Sequence, residues 1–224
     1  MKEETKKVIR GLLNDLGALD YITPAEIPDI PLYMDQITTF MDAKLASGKR
    51  HPEDKILTKT MINNYTKNNL IPPPVKKKYS KDHLLLLIFV YYLKDFLSIS
   101  DIETLLKPLI ADHFGEGKEI SVSDIYDGIY GMETHEMTRV VKDLIHNYET
   151  AIATFPEAEG SDADYLHTYA FICLLSFDVY IKKQLIVRIL DEMGERQSEE
   201  EAGTKAVKKE AAARKAPQEK KAKK

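Results

Sequence analysis

LTKTMINNYTKNNLIPPPVKKKYSKDHLLLLIFVYYLKDFLSISDIETLL, residues 57–106, sets out a short helix, a proline-ended basic strand and two further helices in one compact order. Thr58 can cap the first helix, and Met61, Ile62 and Tyr65 fall within two turns of one another as its packed side. Lys59, Thr60, Asn63, Asn64 and Lys67 then carry the cations, hydroxyl and amides of the other side. Leu70 and Ile71 end this helix, and Pro72, Pro73 and Pro74 force extended backbone ahead of Lys76, Lys77 and Lys78. Ser80 caps a helix whose Leu84–Val90 run is apolar nearly all round, as a buried pillar would be. Ser98 with Asp101 reads as a capping box opening a helix through Ile102, Leu105 and Leu106, and Pro108 predicts its stop.

Those residues resemble the DNA-binding domain of the MerR family of bacterial regulators. TKTMINNYTKNNLIPPP matches its recognition helix and exit, and KKYSKDHLLLLIFVYYLKDFLSISDIETLL matches the end of its wing and the helices that follow. The resemblance implies a winged helix-turn-helix that binds double-stranded DNA. It places Tyr65 where the family has a phosphate-contacting tyrosine, Asn63 where it usually has arginine, and Lys77 and Lys78 near its basic wing residues. Three features depart from the pattern. SGKRHPEDKI, residues 47–56, stands where the family has a tight turn; the wing is short and lacks a glycine tip; a long dimerising coiled coil is not evident. The chain also resembles an uncharacterised bacterial family that carries this domain with an additional helical region, which implies no biochemical role.

Chemistry independent of that resemblance points the same way. Amides and cations on one helical face are groups that hydrogen-bond adenine edges and phosphate oxygens. From Lys44 to Lys81 there are ten Lys or Arg against Glu53 and Asp54, a local excess of eight in a chain whose net charge is −4. Local sign, rather than the total, governs contact with nucleic acid. The expected recognition-face candidates are Thr60, Asn63, Asn64 and Lys67, with Lys59 beside them as a further DNA-binding residue and Tyr65, Lys76, Lys77 and Lys78 contacting the backbone. The alternative is a non-enzymatic adaptor that presents the same surface to an acidic protein.

A chain of 224 residues with 43% hydrophobic and 30% charged residues has room for one or two helical domains. Its N-terminus is charged and amphipathic, and its longest apolar runs fall short of the roughly 20 residues that span a bilayer. A cytoplasmic protein without membrane contact is the expectation. The single cysteine, Cys173, excludes an internal disulfide and reads as a packed thiol. His51, His83, His113, His135, His146 and His167 form no metal pattern and read as incidental surface residues. With no phosphate-binding glycine loop, nucleophile elbow or metal set, neither an enzyme nor a cofactor is expected.

Ser121 or Ser123 can start a helix running through Ile145, and Asp162 or Asp164 another to about Met193, joined by TFPEAEGSDAD. This αα-hairpin has too wide an apolar surface on its last helix for a solitary amphipathic element. Either the preceding helices or a second copy of the chain covers it, the latter giving a homodimer; aromatic and methionine residues there read as core before they read as a ligand pocket, and no effector can be named. The tail GTKAVKKEAAARKAPQEKKAKK carries nine Lys or Arg and two Glu, and is expected to be disordered and able to add salt-sensitive affinity for DNA. The organisation that follows is mainly α: an N-terminal helix over 1–24, a winged helix-turn-helix-like domain with a small β wing over 25–112, a C-terminal helical hairpin or bundle over 113–195, and a Lys/Ala-rich tail over 196–224.

Overall fold

The computed structural model describes Lys7, Gly11 and residues 22–131 and 133–219, with the backbone alone at 133–138 and 206–219. Lys7 and Gly11 are helical; the rest of the expected N-terminal helix up to residue 21 lies outside the described residues, as do residues 220–224 of the tail. Seven helices and one two-stranded antiparallel sheet are found among the described residues. The chain divides into two compact units, Met1–Lys183 and Gln184–Lys224.

In the first unit a short 3-10 turn at Pro24–Glu26 leads to β1 (Leu32–Tyr33) and α1 (Met34–Lys44). The Gln36 side chain accepts from the Tyr33 N–H at 2.8 Å, satisfying a free donor at the entry to α1, and Ile37 and Met41, one turn apart, are fully buried. The 47–56 segment is no tight turn. It forms a 3-10 turn at Ala46–Gly48 and a second turn in which the His51 N–H donates to Asp54 Oδ2 at 2.9 Å, and Leu45, Ile56 and Leu57 around it are buried. α1 and α2 (Lys59–Lys67) nevertheless pack on one another.

β2 (Lys78–Tyr79) pairs antiparallel with β1, Leu32 opposite Tyr79 and Tyr33 opposite Lys78. α3 (Lys81–Leu93) buries His83 through Val90 without a break, as its apolar sequence predicts. α4 (Ile99–His113) opens on the expected capping box: the Ser98 N–H donates to Asp101 Oδ2, and the Asp101 N–H to Ser98 Oγ, both at 3.1 Å. Pro108 does not stop it. The helix carries the proline inside and continues to His113, because buried Ile102 and Leu106 anchor its face to the core on the turns before the missing N–H.

The helix expected from Ser121 through Ile145 is two helices, α5 (Val122–Tyr130) and α6 (Glu133–Thr154). Gly131 closes α5, its N–H donating to the Asp127 carbonyl at 2.8 Å. The break lets α5 lie against α3, where Phe89 meets Tyr126 edge-on at 5.4 Å and Tyr126 meets Tyr130 at 4.2 Å. The buried Tyr126 hydroxyl donates to the Ile22 carbonyl at 2.6 Å, so the packed body runs on past residue 112 and closes on residue 22.

α7 (Gly160–Glu219) starts two residues before Asp162 and continues far beyond Met193. Phe171 is buried edge-on against Tyr148 of α6 at 5.3 Å, the expected αα-hairpin contact. In the second unit α7 passes residue 196, where a disordered tail is expected, and remains helical to Glu219; alanines and i,i+4 pairs such as Arg196–Glu192 (3.7 Å) and Lys205–Glu201 (3.8 Å) favour that conformation. No helix among the described residues is long and apolar enough to cross a membrane.

Candidate nucleic-acid interface

α2 is held at both ends by its own residues. Thr58 Oγ1 accepts from the Met61 N–H at 3.1 Å. At the other end Asn69 adopts φ 59°, the Asn69 N–H donates to the Thr66 carbonyl (3.2 Å) and the Leu70 N–H to the Tyr65 carbonyl (2.8 Å). This is a Schellman closure, with buried Leu70 and Tyr65 as its apolar pair. Asn69 therefore ends the helix, ahead of Leu70 and Ile71, to which the apolar pattern assigns the stop. Asparagine can do so because it tolerates the left-handed conformation.

Ile62 and Tyr65 turn inward, while Lys59, Thr60, Asn63, Asn64 and Lys67 are all exposed. At 100° per residue these five span one contiguous face. Tyr65 is the exception among the expected contacts: it is 7% exposed, and burial, followed by the nearby Asp95 charge, raises its pKa. Its ring belongs to the core, as a tyrosine at i+3 from buried Ile62 should.

The segment expected to form the wing is a tight hairpin turn at Val75–Lys78. Val75 and Lys78 exchange backbone bonds in both directions (3.0 and 2.9 Å), and the two residues between them, Lys76 and Lys77, have φ of 51° and 65°. This is the geometry of a type I′ turn, which asparagine and glycine ordinarily occupy. Two lysines are held there at a conformational cost, so the turn closes without a glycine at its tip. Lys76 and Lys77 are exposed at the tip, and the exposed Lys78 lies 5.1 Å from the centre of the Tyr33 ring on the partner strand.

His83 is not a surface residue. It is 3% exposed, and its Nδ1 accepts from the Ser80 N–H at 3.0 Å and lies 2.7 Å from Ser80 Oγ, closing the capping box of α3 directly after β2. Its ring stands edge-on to Tyr79 (5.4 Å) and Phe114 (4.8 Å). Nδ1 as acceptor requires the proton on Nε2, which has no hydrogen-bond partner of good geometry among the described residues. Burial pushes the pKa down, outweighing the Pro73 carbonyl, the Asp82 charge and the Pro72 carbonyl, which act in the opposite direction. A histidine three residues after a capping serine was the available signal, since N3 is the position from which a side chain reaches back to the cap.

The basic stretch is less bare than the count along it. Lys44 meets Glu26 (2.8 Å), Lys49 meets Asp42 (2.6 Å), Lys81 meets Asp29 (2.7 Å), and Lys59 pairs with Asp35. Residues 22–81 hold ten cations and six carboxylates, which halves the excess from eight to four. Lys67, Lys76 and Lys77 make no ion pair within the described residues. Among those residues no group of three His, Cys, Asp or Glu is placed to hold a metal ion.

Residues 22–129 match the family model described as a domain of unknown function, DUF1836. The matched span begins at the residue whose carbonyl receives the Tyr126 hydroxyl and ends within the last turn of α5, so it coincides with the closed body described above. It takes in α2, the Val75–Lys78 turn and His83 and brings no biochemical role with it. No curated protein and no solved structure matches the chain.

Proposed function

We propose that the DUF1836-matched body is a winged helix-turn-helix that binds duplex DNA as a transcriptional regulator, α2 entering the major groove and the wing lying on the backbone. The observation that carries this reading is the exposed face of α2: two lysines, a threonine and two asparagines on one side of a helix that is capped at both ends and anchored by Ile62 and Tyr65. Asn63 and Asn64 make no side-chain hydrogen bond to another described residue, which leaves both amides available for base edges. Lys67, Lys76, Lys77 and Lys78 supply phosphate contacts, and Lys59 does so on release from Asp35.

The test is selection of bound genomic fragments with purified protein, followed by titration of the selected duplex over a range of salt. Asn63→Ala with Asn64→Ala should cost about 1–3 kcal/mol on the selected site and little on unrelated DNA. Lys76→Asn with Lys77→Gly keeps the turn and removes two cations; it should weaken all duplexes alike and lower the slope of log K against log salt by about 2. Wild-type binding that neither pair alters, or no enrichment of any fragment at low salt, would refute the proposal. The adaptor reading rests on the neutralised lysines, since an excess of only four charges also suits an acidic protein partner; enrichment of no DNA decides in its favour.

A further inference from the structure

α7 has two apolar faces, and the hairpin uses one. Phe171 faces Tyr148 of α6, with Leu174 and Leu175 half-buried beside it. About 120° around the helix from Phe171, Tyr165, Tyr169, Ile172, Ser176 and Val179 recur at alternating spacings of four and three, and Tyr180 flanks them. That spacing makes one straight stripe along a helix, the pattern by which two helices pack side by side. Its five large side chains are between 56% and 67% exposed. Together they leave roughly 600 Å² of largely apolar surface uncovered, against about 800 Å² that each partner contributes to a standard stable interface.

We infer that this stripe is the homodimer interface of the protein, occupied by the same stripe of a second copy running antiparallel. Charge sets the direction. Asp162 borders the stripe at its N-terminal end, and Lys183 continues its spacing at the other, 21 residues away or about 31 Å at 1.5 Å per residue. A parallel pair would set Asp162 beside Asp162 and Lys183 beside Lys183. An antiparallel pair with its two-fold axis between residues 172 and 173 sets Asp162 beside Lys183 at both ends, Tyr165 beside Tyr180 and Tyr169 beside Ser176. Such an interface is self-complementary, as two-fold symmetry requires. It stands whether or not α2 reads DNA, since no residue of the stripe belongs to that surface.

Sedimentation equilibrium of the full chain from about 1 to 100 μM tests it, with the expected result a reversible dimer. Ile172→Asp should weaken dimerisation more than tenfold with the far-ultraviolet circular dichroism unchanged, since the side chain is 56% exposed in one copy. Lys183→Glu alone should weaken the dimer, and adding Asp162→Lys should restore it. A wild type that stays monomeric across the range, or a dimer indifferent to Ile172→Asp, overturns the interface, including the case in which residues 1–21 or another protein cover the stripe. Failure of the double reversal to restore overturns the antiparallel arrangement.

Discussion

At the scale of single residues, His83 joins α3 to β2 and to the segment that follows α4. Its ring caps α3 through Ser80 and packs between Tyr79 at the end of β2 and Phe114 beyond α4, in the neutral form. Because its folded-state pKa lies below the ordinary 6.5, the unfolded chain binds the proton more readily. Stability from this group is therefore whole above about pH 6.5 and is lost as the pH falls from there through the lower folded-state value. His83→Gln keeps an N3 side chain able to accept from the Ser80 N–H but does not titrate. Urea denaturation at pH 7 and at pH 5.5 should show a drop for the wild type that is much smaller in His83→Gln; equal drops would mean that other groups set the dependence. Glu26 does not contribute to that drop, because the Lys44 and Thr23 hydrogen bonds hold its carboxyl down at about 2 and its stabilisation is lost only below the ordinary value of 4.5.

At the scale of the element, caps and breakers decide where helices end, and two of them act against simple expectation. Asn69 terminates α2 by turning left-handed, whereas Pro108 sits inside α4 although it has no N–H to add to the helical ladder. Proline in a helix interior costs about 3 kcal/mol relative to alanine, part of which is regained here because it restricts the unfolded chain. Pro108→Ala should accordingly stabilise the protein by about 1 kcal/mol or more in urea unfolding. A neutral or destabilising result would show that the ring's packing outweighs the lost hydrogen bond. The first is local to the end of α2, but the second follows from neighbours in space: α4 survives its proline because Ile102 and Leu106 are buried, a fact that propensity along the chain does not contain.

At the scale of the whole molecule, the matched body is closed by one buried hydrogen bond between its ends, Tyr126 Oη to the Ile22 carbonyl at 2.6 Å. Tyr126→Phe removes the donor, keeps the ring among Phe89 and Tyr130, and strands a buried carbonyl. The expected cost is about 1–3 kcal/mol, with amide exchange speeding first at Thr23, Glu26 and Ile27. Loss of protection spread evenly over α1–α5 would instead make this contact an ordinary member of the core.

The order of helix, short strand, apolar pillar and capped helix was legible in residues 57–106 because caps, prolines and apolar spacing are local signals; so was the outward polar face of α2, which Ile62 and Tyr65 imply. The acids that neutralise four lysines were not legible, since Glu26, Asp29, Asp35 and Asp42 lie outside the basic stretch and meet it only in the fold. Nor was the division at Gly131 that brings α5 onto α3, or the depth of His83. Local propensity acts over a few residues of chain and can be read in order; burial, ion pairing and closure depend on residues distant in sequence, and the tertiary structure alone decided those.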